Sequence, residues 1–119
     1  MVDIVPTLGR IVWYVLSSDD AVKINKRRAD ARQHMDLHRQ NSNGVMVHVG
    51  NDVSLGDIYP AMVVRVWGDR PDSYVNLKVE LDSSDNYWAT SRRVGEAPGT
   101  YHWMPYQVGQ AKKHAEPPK

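Results

Sequence analysis

The chain has 119 residues, with 15 Lys and Arg against 14 Asp and Glu and no cysteine. That length predicts a single domain able to bury about two-thirds of its unfolded surface, and a charge near zero argues against a generally basic nucleic-acid binder. Without cysteine there are no disulfides, no thiolate chemistry and no Cys-based zinc site, which fits a reducing cytoplasm. The sequence shows no signal-peptide pattern. No apolar run approaches the roughly 20 residues needed to cross a bilayer, so no membrane association is expected. Six Tyr, four Trp and no Phe supply the aromatic content, and rings with polar handles suit half-buried surfaces and binding sites.

Residues 10–16 read as a first strand after the turn Thr7-Leu8-Gly9, with Ile11, Trp13 and Val15 on one face and Val12, Tyr14 and Leu16 on the other. Ser17 and Asp20 form a capping-box-like pair, and acids in the first turn suit the helix dipole. A helix over 18–38 is predicted, with Ala21, Ile24, Arg28, Ala31 and Met35 as a thin buried stripe. Its outer face is polar and somewhat basic. Asn41-Ser42-Asn43-Gly44 ends it, and residues 45–49 alternate as a second strand. Residues 59–67 are the longest apolar, β-branched run. Ala61, Val63, Arg65 and Trp67 share one face and Met62, Val64 and Val66 the other, which predicts a central strand covered on both sides.

A breaker-rich loop at 68–72 leads to the cleanest alternation in the chain, Val75, Leu77, Val79 and Leu81 inward against Tyr74, Asn76, Lys78 and Glu80 outward. A hairpin to 87–91 follows, then a type II turn at Ala97-Pro98-Gly99-Thr100 and a short last strand over 101–104. The expected architecture is an α+β domain over 1–108: a five- to six-stranded, mainly antiparallel sheet or partly open barrel with one helix after the first strand. Residues 109–119 lack apolar periodicity and are expected to be a flexible C-terminal tail. Aromatic residues near sheet edges point to a homo-oligomer.

Nothing in the sequence points to catalysis. G-x-S-x-G, Walker A and G-x-G-x-x-G are absent. His34 and His38 are spaced i, i+4 as two zinc ligands would be, without an HExxH signature, so no metal or other cofactor is assigned. Asp82 and Asp85 sit where turn chemistry alone explains them. Binding is the better-supported class. An arginine fork holding phosphate beside a ring that stacks a base is the common grip on nucleotides and single strands. Arg65, Arg28 and Arg92 are candidate phosphate ligands; Trp67, Trp103 and Tyr14 are candidate stacking rings; Asn25, His48, Asn51 and Ser91 are candidate polar contacts. The competing reading makes the tryptophans core and sends each arginine to solvent.

The segments Pro6-Thr7-Leu8-Gly9-Arg10-Ile11-Val12-Trp13-Tyr14, Ile24-Asn25-Lys26-Arg27-Arg28, His48-Val49-Gly50-Asn51, residues 59–67, residues 85–91 and Pro98-Gly99-Thr100-Tyr101-His102-Trp103 resemble small, poorly characterised proteins of tailed bacteriophages and prophages. Size, element order and Arg/aromatic content are also similar in a general way to phage anti-defence sponges, oligomers that sequester cyclic nucleotide or cyclic ADP-ribose signals without cleaving them. That resemblance implies a non-catalytic protein of the infected bacterial cytoplasm binding a small nucleotide-like anion. The alternatives are a nucleic-acid-binding barrel and a virion or host-protein interaction module.

Overall fold

The computed structural model describes residues 3–41 and 50–115. Among these residues, five strands and two helices follow in the order β1 (Ile11–Val15), α1 (Ser18–Asn41), β2 (Ile58–Trp67), β3 (Tyr74–Glu80), β4 (Asn86–Arg92), β5 (Tyr101–His102) and α2 (Pro105–Ala115). The sheet is antiparallel and open, in the order β4-β3-β2-β1-β5. The strand expected to be central is the middle one. Period-two alternation explains the inner face: Val12, Tyr14 and Leu16, Ala61 and Val63, Val75, Leu77 and Val79, and Ala89 are all buried. Ala21 and Ile24 of α1 close over them.

The helix start follows the sequence. The Asp20 amide donates to Ser17 Oγ at 3.1 Å, and Asp20 Oδ2 accepts from the Ser17 amide at 3.0 Å, a reciprocal cap. Gly99, at φ 88°, gives the 97–100 turn the left-handed third position that a type II turn requires, and the Thr100 amide closes it on the Ala97 carbonyl.

Three expectations are corrected. The middle strand is covered on one face, not two: Ile58, Met62, Val64 and Trp67 stay exposed. A bulge between Val63 and Arg65 breaks its alternation, so Val66 rather than Arg65 returns to the core side. The last strand, expected over 101–104 as a hairpin partner of residues 88–93, spans only Tyr101–His102 and pairs with β1; Val94, past the end of β4, reaches it through one parallel bridge to Tyr101. Residues 109–115, expected in a tail, belong to α2. Pro105 at the first helical position and Gln107, whose Oε1 accepts from the Met104 amide at 2.8 Å, start that helix. The Gln107 amide donates to the Ile11 carbonyl at 2.8 Å and ties α2 to the sheet. The strand expected over 45–49 lies outside the described residues. Among the described residues no helix is long and apolar enough to cross a membrane.

Candidate ligand-binding site

The arginines and aromatic residues divide between the two sides of the sheet, and the division decides what each can do. On the inner side, Asp20 is completely buried. Its carboxylate accepts hydrogen bonds from the Tyr14 hydroxyl, from the Tyr87 hydroxyl at 2.8 Å and from Arg92 Nη2 at 3.1 Å. Burial pushes the Asp20 carboxyl up, but the Tyr14, Ser17 and Tyr87 donors outweigh it and hold the group below its ordinary value. Burial and the Asp20 bond raise both phenols, Tyr87 to about 12. The result is a buried network, with both Asp20 oxygens bonded and Arg92 Nε left without a partner, that clamps the start of α1 to β1 and β4.

Arg28 makes the second clamp. It lies on the buried stripe of α1, 4% exposed, and its Nη1 donates to both Asp85 oxygens at 2.7 and 2.6 Å while Nη2 donates to Ser83 Oγ at 3.1 Å. Arg27 reaches the same carboxylate at 2.7 Å. Desolvation raises the Asp85 pKa, and the bonds from Arg28 and Ser83 with the charge of Arg27 bring it below the ordinary value. Gly50 passes so close that an added Cβ would stand 2.9 Å from Arg28 Cζ and 2.4 Å from Ser83 Cβ.

These placements redistribute the residues singled out from sequence. Arg28 and Arg92 spend their guanidinium groups on Asp85 and Asp20, so they are held as structural clamps instead of facing a ligand. Tyr14 is fully buried beside Arg92, whose Cζ stands 5.8 Å from the ring centroid. Trp103 is 8% exposed, edge-on to Tyr101, with Arg10 5.9 Å from its ring. Asn25 uses its amide at both ends on the Val53 backbone, at 2.8 Å each way. Asn51 is exposed. Ser91 is exposed at φ 56°, a left-handed turn fixed by its amide donating to Asn76 Oδ1 at 2.9 Å. His48 and the His38 side chain lie outside the described residues, and His34 is exposed on α1. Among the described residues no cluster of three or more His, Asp or Glu side chains is placed to hold a metal ion.

The outer side is different. Arg65 Cζ lies 5.5 Å from the Trp67 ring centroid, and Arg93 Cζ lies 5.1 Å from the Tyr74 centroid. Trp67 and Tyr74 are direct cross-strand partners, Arg65 pairs with Asn76 in the next register, and Arg93 follows the residue that pairs with Val75. Two guanidinium groups and two rings, all exposed, therefore meet at the hairpin end of the sheet. Among the described residues neither arginine has a carboxylate within ion-pair distance. A guanidinium laid on a ring keeps its N–H groups directed sideways, where they can take a phosphate while a base stacks on the ring or on the guanidinium plane. Arg65 and Trp67 were legible from sequence. Tyr74 and Arg93 were not, because the bulge between Val63 and Arg65 turns the Arg65–Trp67 pair to the outer face and the one between Val75 and Leu77 carries Arg93 beside Tyr74, and neither follows from simple alternation.

No protein-family model, curated protein or solved structure matches the chain.

Proposed function

We propose that this protein is a non-catalytic binder of a small nucleotide-like anion, held at the hairpin end of the sheet by Arg65 and Arg93 with Trp67 and Tyr74 as stacking rings. The observation that carries this reading is the pair of arginine–ring contacts whose rings face each other on β2 and β3, exposed and with no carboxylate within ion-pair distance among the described residues. Two positive groups on one exposed face attract a ligand with two phosphates, or one doubly charged phosphate, better than a neutral base. In a phage-encoded protein of the infected cytoplasm, such capture would serve to sequester a signalling nucleotide, the role of a sponge.

A second reading uses the same rings for a single strand of nucleic acid. The specific observation in its favour is Trp88, 63% exposed on the same outer face and free to stack a further base.

Melting temperatures with cyclic di- and trinucleotides, ADP-ribose and its cyclic isomers separate the two. A bound mononucleotide-sized ligand raises the melting temperature by mass action. Arg65→Met and Arg93→Met remove that rise while the unliganded protein melts as before. If oligonucleotides bind instead, with affinity that falls steeply with salt, the second reading replaces the first. If neither class binds, both fail.

A further inference from the structure

Beyond the bulge, the same outer face changes character. Trp13, Ile58, Met62, Val64 and Trp88 are exposed there at 37, 51, 41, 39 and 63%. The register places Met62, Trp13 and Trp88 in two adjacent rows: Ile11, Met62, Lys78 and Trp88 form one across four strands, and Trp13, Pro60, Glu80 and Asn86 form the next, with Ile58 and Val64 further along β2. The five large side chains alone present on the order of 500 Å² of surface, near the upper end for the largest apolar patch of a soluble monomer. With Ile11, Pro60 and the aliphatic stems of Lys78 and Glu80 around them, the face approaches the roughly 800 Å² that each partner contributes to a standard interface.

The charges on this face say which partner fits. Along β3 it carries one cation and one anion, Lys78 and Glu80, two residues apart on the exposed side. A two-fold axis lying in the interface, across β3 at Val79, sets each Lys78 opposite the Glu80 of the other copy and leaves neither charge unpaired. A patch that is apolar, close to interface size and complementary to itself in charge is the pattern of an isologous contact. Antiparallel sheets commonly pack face to face in this way, about 10 Å apart. We infer that two copies of this chain associate through the outer faces of their sheets, centred on Met62 and the Lys78–Glu80 pair. The arginine–ring site lies past the bulge at the hairpin end, outside the contact.

Sedimentation of the full chain at about 100 µM, above the micromolar end of the range for interfaces of this size, reads the association directly. A dimer is expected. Met62→Glu and Trp88→Glu give monomers with unchanged circular dichroism, since both side chains are exposed in the isolated copy. Lys78→Glu and Glu80→Lys each weaken the dimer by about tenfold or more, because each sets like charges opposite each other. A one-to-one mixture of the two re-associates as a heterodimer, a result that only a self-complementary contact gives. Arg65→Met leaves the dimer constant unchanged. A monomeric wild type, a dimer indifferent to Met62→Glu, or a mixture that fails to re-associate overturns the inference. So does a wild-type monomer that carries nucleic acid on this face, seen as absorbance at 260 nm moving with the protein.

Discussion

Two pairs of arginines, one on each side of the sheet, have opposite settings. On the inner side Arg28 and Arg92 meet Asp85 and Asp20, at hydrogen-bonding distance and largely out of water. On the outer side Arg65 and Arg93 lie over Trp67 and Tyr74, exposed and with no acidic partner among the described residues. A cation on the inner side is already neutralised, so its loss should register as stability. A cation on the outer side keeps its field for a ligand, and its loss should register as binding.

The largest effect expected from this contrast is on the Arg28 clamp. Asp85→Ala leaves a nearly buried guanidinium without its carboxylate, which costs about 3–5 kcal/mol. Urea denaturation should show the midpoint falling with an unchanged slope. Removing the charge as well, with Arg28→Met in the same background, should recover part of the loss. If Asp85→Ala changes stability by less than about 1 kcal/mol, the inner arginines are no more committed than surface pairs.

The Asp20 network predicts the pH dependence. Its carboxyl is held below the ordinary value of 3.8, so its contribution is present above that value and lost as pH falls through the depressed one. Tyr87 and Tyr101 move the other way, from 10.0 to about 12, each mainly by burial. A folded-state pKa above the unfolded one gives stability that is complete below pH 10 and lost as pH rises toward 12. The melting temperature should therefore hold between these limits and drop at both ends. Tyr87→Phe should lessen the alkaline drop, and an alkaline limb unmoved by that substitution would remove Tyr87 from the account.

Much of this architecture was legible in the residues. The alternation at 75–81, the cap formed by Ser17 and Asp20, and the Pro-Gly turn at 98–99 each express a local rule with one solution. What was not legible depended on partners distant in sequence. Asp20 satisfied its cap and so gave no sign of also accepting from Tyr14, Tyr87 and Arg92. Tyr14, alone among the inward residues of β1 in needing a polar partner, was the available clue. Arg28 on an apolar stripe pointed to an anionic partner, read as a phosphate, but not to Asp85, which lies 57 positions away. Helix α2 was missed because its start rests on Met104, Pro105 and Gln107, while Gly109 interrupts any apolar pattern behind them. The outer site was half legible, because periodicity cannot foresee a bulge.

Substitution on the outer side tests the other half of the comparison. Arg65→Met should shift folding stability by no more than about 0.5 kcal/mol, as exposed positions do. It should weaken nucleotide binding roughly tenfold or more, the scale of a lost charge-assisted hydrogen bond. Calorimetric titration with whichever nucleotide stabilises the wild type measures this, and a variant that melts several degrees lower before ligand is added would place Arg65 with the inner pair.

The smallest effect is the most discriminating. Arg65→Lys keeps the charge but replaces a planar fork, able to lie on Trp67 and still present donors sideways, with a compact ammonium. If the outer site works by field alone, Lys should bind nearly as well as Arg, and the salt dependence of binding should be unchanged. If the stack matters, lysine should lose about 1 kcal/mol, the range of an exposed cation–π contact together with a poorer phosphate geometry. Trp67→Leu should then lose a similar amount, and the double variant little more than either single change, because both remove the same stacked unit. Additive losses would mean that Arg65 and Trp67 touch the ligand separately, and that their 5.5 Å approach in the free protein is incidental to binding.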